Sequence, residues 1–214
     1  MKSSASFHSQ RRPPAAFTLV ELLTVISIIA ILAAILVPTV TVAMRRVQSV
    51  KSRVVLTNLV SIATAYKNEY KVWPTLGGTV TTTRDTPFQL KASAPQWVAV
   101  MEGKATSDYV NYNRKSIQFA TFSDADLSTD VTTQTPIDAF GNTDLWLVFN
   151  TNINQIGQIQ PDIVNSVAMA SADGSKTISI VQNSSIPVNS ECVGMSAGAG
   201  FSPIDAITTW DVAP

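Results

Sequence analysis

An uninterrupted apolar run from Phe17 to Val37, FTLVELLTVISIIAILAAILV, constrains this chain more than any other feature. Its 21 residues contain a single charged side chain, Glu21. As a helix rising about 1.5 Å per residue the run measures roughly 31 Å, the thickness of a bilayer's hydrocarbon core. The segment can therefore cross a membrane. A secretory signal carries an apolar core of roughly 7–15 residues ahead of a small-residue cleavage site. Thr41-Val42-Ala43 imitates such a site, but the run before it is too long for that reading. Glu21 needs a reason to be there. A carboxylate in an apolar helix costs on the order of 2.5–3.5 kcal/mol near the bilayer centre and less near the interface, where this one falls. Either the interface tolerates it or it has a function.

The rest of the composition narrows the function classes. Charged residues make up 14% of the 214 positions and apolar ones 45%, with formal net charge zero. Nucleic-acid binding wants a clustered basic face, so that partner class is set aside. One cysteine, Cys192, precludes a disulfide within the chain, and a buried structural thiol is the expected state. The only histidine, His8, precedes the apolar run. His-dependent triads and His-metal sites are thereby removed from the body of the chain.

Residues 1–16 are polar and basic, with Lys2, Arg11 and Arg12 and no acid. After Pro38 the apolar residues thin to a stripe, Val47, Val54 or Val55, Leu59, Ile62, Tyr66 and Tyr70, at spacings of three and four. The expectation is one helix from Phe17 to about Tyr70, roughly 80 Å long, with a kink at Pro38 where a backbone hydrogen bond is lost. The second half would lay its stripe under a soluble domain; a coiled-coil partner is the alternative.

Trp73-Pro74-Thr75-Leu76-Gly77-Gly78 ends the helix, and the Thr-rich stretch after it reads as loop. A short helix is expected within 86–100. Strands are expected at Ile117 to Phe122, Leu145 to Asn150, Ser166 to Ser171 and Thr177 to Gln182, from their partial alternation. Asn152-x-Asn154-x-Ile156-Gly157 has the outline of a calcium loop, but Ile156 stands where an oxygen ligand belongs, so it reads as a turn. The fold class is α+β, a long N-terminal helix packed on a small antiparallel sheet. Its divisions are 1–16, a leader; 17–37, the membrane-spanning half of the helix; 38–72, its amphipathic continuation; and 73–214, the soluble domain.

The string Ala16-Phe17-Thr18-Leu19-Val20-Glu21-Leu22-Leu23, behind a basic leader and ahead of an unbroken apolar helix and Pro38, resembles the N-terminus of type IV prepilins and type II secretion pseudopilins. Later segments extend the resemblance toward the major pseudopilin. Asp138-Ala139-Phe140-Gly141-Asn142 is similar to its Asp-Pro-Trp-Gly-Asn turn. Ala170-Ser171-Ala172-Asp173-Gly174 and the closing Asp205-Ala206-Ile207-Thr208-Thr209-Trp210 are similar to its Ala-Asp-Gly turn and Asp-Asp-Ile-x-x-Trp end.

The resemblance implies a pilin-like fold, cleavage between Ala16 and Phe17 by a prepilin peptidase, and methylation of the new amino group. Ala16 replaces the family's usual Gly. It further implies that Glu21 and Pro38 serve assembly, that the chain self-associates into a helical filament, and that it engages an inner-membrane assembly platform. Calcium would be held by Asp173 and Asp205, although the family's paired Asp is Asp205-Ala206 here. Arg45, Arg46, Lys51 and Arg53 balance the leader's charges, so the resemblance alone places the N-terminus in the cytoplasm and the C-terminal domain beyond the bacterial inner membrane. The expected function is a structural subunit of a secretion pseudopilus. A surface type IV pilin is the first alternative; a membrane-tethered hydrolase or binding module is the second, lacking any nucleophile with an adjacent base in the sequence.

Overall fold

A computed structural model describes residues 18–105, 107–130, 132–180, 186–200 and 206–210. The chain divides into two compact units, Met1–Met44 and Arg45–Pro214. Helix α1, Leu19–Tyr70, contributes to both.

In the first unit every described side chain is exposed. The helix is unbroken at Pro38. Pro38 has no N–H to offer the turn before it. There the Thr39 hydroxyl donates to the carbonyls of Ile35 (3.3 Å) and Leu36 (2.8 Å).

The second unit is α+β. Strands β1 (Thr86–Gln89), β2 (Trp146–Phe149), β5 (Cys192–Ser196) and β6 (Ile207–Thr208) form an antiparallel sheet in the order β1-β2-β5-β6. A separate hairpin pairs β3 (Ala168–Ala170) with β4 (Thr177–Ser179). Short helices α2 (Leu90–Ser93), α3 (Gln96–Met101) and α4 (Pro161–Ser166) and a 3-10 segment, Ser107–Asn113, complete the unit.

The sheet is buried on both faces, which explains why β2 reads Trp-Leu-Val-Phe without polar alternation. Leu147 and Phe149 share a core with Leu56, Leu59, Ala63 and Tyr66 of α1 and with Trp97 and Met101 of α3. Val148, Val193 and Met195 belong to a second core with Ile163 and Val164 of α4 and Met169 and Ile178 of the hairpin. The second unit is thus layered: α1, sheet, then α4 with the hairpin.

The stripe that α1 buries is Ser52, Leu56, Leu59, Ala63 and Tyr66. Leu59 and Tyr66 stand where the spacing put them, but Val47 and Val54 are exposed and Val55 and Ile62 only half-buried. The buried face is therefore rotated away from the valines, onto Ser52, Leu56 and Ala63. At the crossing with β5 a Cβ on Gly194 would stand 3.3 Å from the Leu56 Cβ.

Leu145 to Asn150, Ser166 to Ser171 and Thr177 to Gln182 contain β2, β3 and β4. Ile117 to Phe122 forms no ladder; its Phe119 and Ala120 amides both donate to the Met101 carbonyl (2.8 and 3.2 Å), tying it to α3. The stretch 86–100 contains helices α2 and α3, but it opens with β1. The helix ends at Tyr70, three residues before Trp73, and the next residue, Lys71, turns the chain left-handed with its φ of 62° while its N–H still reaches the Lys67 carbonyl at 2.7 Å.

Candidate functional site

Glu21 lies in the first turn of α1, three residues after Thr18. The Thr18 backbone N–H (2.9 Å) and hydroxyl (2.8 Å) both donate to Glu21 Oε2, and the Glu21 N–H donates to Thr18 Oγ1 at 3.2 Å. This reciprocal arrangement is a capping box, satisfying helix N–H groups that have no carbonyl partner. A negative charge there also faces the positive end of the helix dipole. Thr18-x-x-Glu21 is readable in the sequence as a capping box. Oε1 accepts no hydrogen bond among the described residues, so the carboxylate has an oxygen left for a donor on another molecule.

Ala16 and Phe17 lie outside the described residues, as does Asp205. Pro38 stands mid-helix, as described above, with exposed apolar neighbours on both sides, Val37 and Val40 among them.

Asp173 forms the turn between β3 and β4. Its Oδ1 accepts from the Ser171 hydroxyl (2.6 Å), the Ser175 N–H (3.0 Å) and the Ser175 hydroxyl (2.8 Å). These donors, Ser171 foremost, lower its pKa to about 2. Gly174, at φ 69°, completes the turn. Calcium takes six to eight oxygens, usually including several carboxylates. The turn supplies one carboxylate and two hydroxyls that already serve each other, which falls short of a cage by itself. Among the described residues no group of three His, Cys, Asp or Glu side chains stands close enough to hold a metal ion.

The Asp138-Ala139-Phe140-Gly141-Asn142 segment proves to be a buried polar knot. Asp138 Oδ1 accepts from the Phe140 and Asn142 amides (2.8 and 2.9 Å), and Oδ2 accepts from Asn142 Nδ2 (3.0 Å) and the Ser196 hydroxyl (2.6 Å). Ala139 N–H donates to Ser52 Oγ on α1 at 3.0 Å. The turn therefore joins the long helix to strand β5. Arg53 ties in the chain's closing segment, donating through Nε to the Thr208 carbonyl (2.9 Å) and through Nη2 to that of Trp210 (3.3 Å). One of the basic residues that blur the charge count across the membrane segment thus has a role inside the folded domain.

Residues 11–37 match the family model described as the prokaryotic N-terminal methylation motif. That motif marks a prepilin-type N-terminus and indicates a subunit of pilin or pseudopilin type, processed by a prepilin peptidase and built to assemble into a filament. The match ends at Val37, and the second unit, Arg45–Pro214, is not part of it. No curated protein and no solved structure matches the chain. The 52-residue α1 contains a segment long and apolar enough to cross a membrane, as a single anchor would require.

Proposed function

We propose that this chain is a pseudopilus subunit of a type II secretion machine: held in the inner membrane by the first half of α1 until assembly, then bundled through that helix with copies of itself. The observation that carries the reading is Glu21, the one charge in the apolar run 17–37, bearing one oxygen that its own cap leaves without a donor. Cleavage before Phe17 creates an ammonium group at the membrane edge. In a poorly polar surrounding a carboxylate and an ammonium attract far more strongly than in water, and such a pair fixes the axial register of helices that would otherwise slide. The orientation, soluble domain outside the cytoplasm, follows from the same reading.

The secretion role is preferred over a surface pilin on two grounds. Cys192 is the chain's one cysteine and is buried in β5, so no C-terminal disulfide loop can form. The turn at Asp138 and the closing Ile207-Thr208-Thr209-Trp210 also fall in the order of the major pseudopilin. Calcium enters only through Asp173 with Asp205. A cation shared by them would raise the melting temperature in calcium over that in chelator, and identical melting curves would retire it.

Two measurements test the central claim. Mass spectrometry of the membrane-extracted chain should find it beginning at Phe17 and methylated; a chain beginning at Met44 would sink both the peptidase and the anchor. Glu21→Gln separates charge from cap, because Gln also serves in a capping box. It should insert and fold like the parent and fail to assemble, as should Glu21→Val, while Glu21→Asp loses less. Normal assembly of Glu21→Gln would show that the charge has no register role.

A further inference from the structure

Between Glu21 and Glu69 helix α1 carries no acidic side chain, and its first basic residues arrive together: Arg45, Arg46, Lys51 and Arg53. All four are exposed. Arg53 is held to the second unit through the Thr208 and Trp210 carbonyls. Arg46 and Lys51 make no hydrogen bond or ion pair among the described residues. At about 100° per residue, Arg45, Arg46 and Lys51 leave the helix at roughly 0°, 100° and 240° around its axis. They form a collar around the rod and not a stripe along one face.

The collar's height is set by the apolar run that precedes it. Glu21 and Arg45 are 24 positions apart, and every residue between them is uncharged. At 1.5 Å per residue that separation is roughly 36 Å along the helix. A hydrocarbon core is about 30 Å thick, and a bilayer with its headgroups about 40–45 Å. With Glu21 at one interface, Arg45 and Arg46 therefore fall within the headgroup layer at the other. Lys51, roughly 45 Å along, stands at that layer's outer margin. Helical Cα–Cβ bonds tilt toward the N-terminus, so these side chains lean back toward the apolar run. Their stems can lie along acyl chains while the charged ends stay at the phosphates.

We propose that Arg45, Arg46 and Lys51 bind anionic phospholipid headgroups in the leaflet where α1 leaves the membrane, and so fix the depth of the anchored subunit before assembly. Charges directed all round a helix suit a layer that surrounds it in one plane, whereas a protein partner is met by charges gathered on one face. Phosphate accepts bidentate hydrogen bonds from a guanidinium and pairs with an ammonium as a point charge. Each Lys or Arg at an anionic bilayer surface strengthens attachment about fivefold. The proposal rests on the membrane-anchor reading above and names the lipid chemistry that the anchored subunit holds.

Native mass spectrometry of the full-length chain in detergent, titrated with phosphatidylglycerol and separately with phosphatidylcholine, tests it. The parent should bind phosphatidylglycerol roughly tenfold more tightly or better, and the double variant Arg46→Gln, Lys51→Gln should lose that preference. Gln keeps the helix, and both positions are exposed, so the melting temperature should not change. Lys91→Gln with Arg114→Gln removes two exposed charges on α2 and just after the 3-10 segment, and should keep the preference. A parent without preference, or equal losses in the two double variants, would overturn the lipid site. So would a collar variant that keeps the preference yet forms no filament, which would assign the charges to a neighbouring subunit. Alkaline carbonate washing of cell membranes reads the anchor separately. A parent chain that resists it leaves the anchor standing whatever the lipid result, and one that washes out overturns both.

Discussion

The Ser196 hydroxyl donates to the Asp138 carboxylate over 2.6 Å, with both side chains buried and 58 positions apart in the chain. Three further N–H donors, from Phe140 and Asn142, converge on this carboxylate. Removing the acceptor leaves several buried donors unsatisfied at once, each costing about 1–3 kcal/mol. Asp138→Ala should therefore destabilise the domain by roughly 3–5 kcal/mol, and Ser196→Ala by about 1 kcal/mol. Urea unfolding of the two variants checks the ranking; equal, small losses would show that the knot is not an anchor between α1 and β5.

Gly194 is held to its identity by proximity and not by backbone conformation. A Cβ there would stand 3.3 Å from Leu56 Cβ and 3.4 Å from Thr209 Cγ2. Overpacking of this kind costs about 1–3 kcal/mol. Gly194→Val should lose that much stability or more, and Gly194→Ala less, because a shift of a few tenths of an ångström relieves it. Thermal melting of both variants reads the difference.

Cys192 is 3% exposed on β5, and burial pushes its thiol pKa up. A thiol kept protonated and covered does not attack disulfides. An aromatic disulfide reagent at pH 8 should leave the native chain unmodified for hours and react within minutes once denaturant is added. Prompt labelling of the native chain would refute the burial.

Tyr66 gives the domain an alkaline limit. Its hydroxyl donates to the Tyr112 carbonyl at 2.7 Å, and burial, with Tyr70 and Tyr112 close by, raises its pKa to about 12. A raised folded-state pKa contributes stability that is complete below the unfolded value near 10. That stability is lost as pH climbs from about 10 to about 12. Tyr66→Phe should cost about 1 kcal/mol at neutral pH and show a shallower decline in stability above pH 10. A decline as steep as the parent's would assign the alkaline limb to another group.

The apolar run with its lone Glu21, the long helix that contains it, and the strands around Leu145–Asn150, Ser166–Ser171 and Thr177–Gln182 were legible because each is written locally. Hydropathy, helical spacing and period-two alternation need only neighbouring residues, and so does the Thr18-x-x-Glu21 cap. Strand β5 was not legible: all five of its positions are buried, and with Gly194 inside it shows no alternation to count. Strand β1 carries Pro87, tolerated on an edge of the sheet. Strand β6 is two residues long and exists because β5 and Arg53 hold it. The sequence by itself determined that the chain has a segment long and apolar enough to cross a membrane, a long helix and an α+β layout. Only the tertiary structure decided which face of α1 is buried and that Asp138 and Asp85 brace turns from within. Those depend on residues brought together across tens of positions, where close packing and the need to satisfy every buried donor outweigh any local preference.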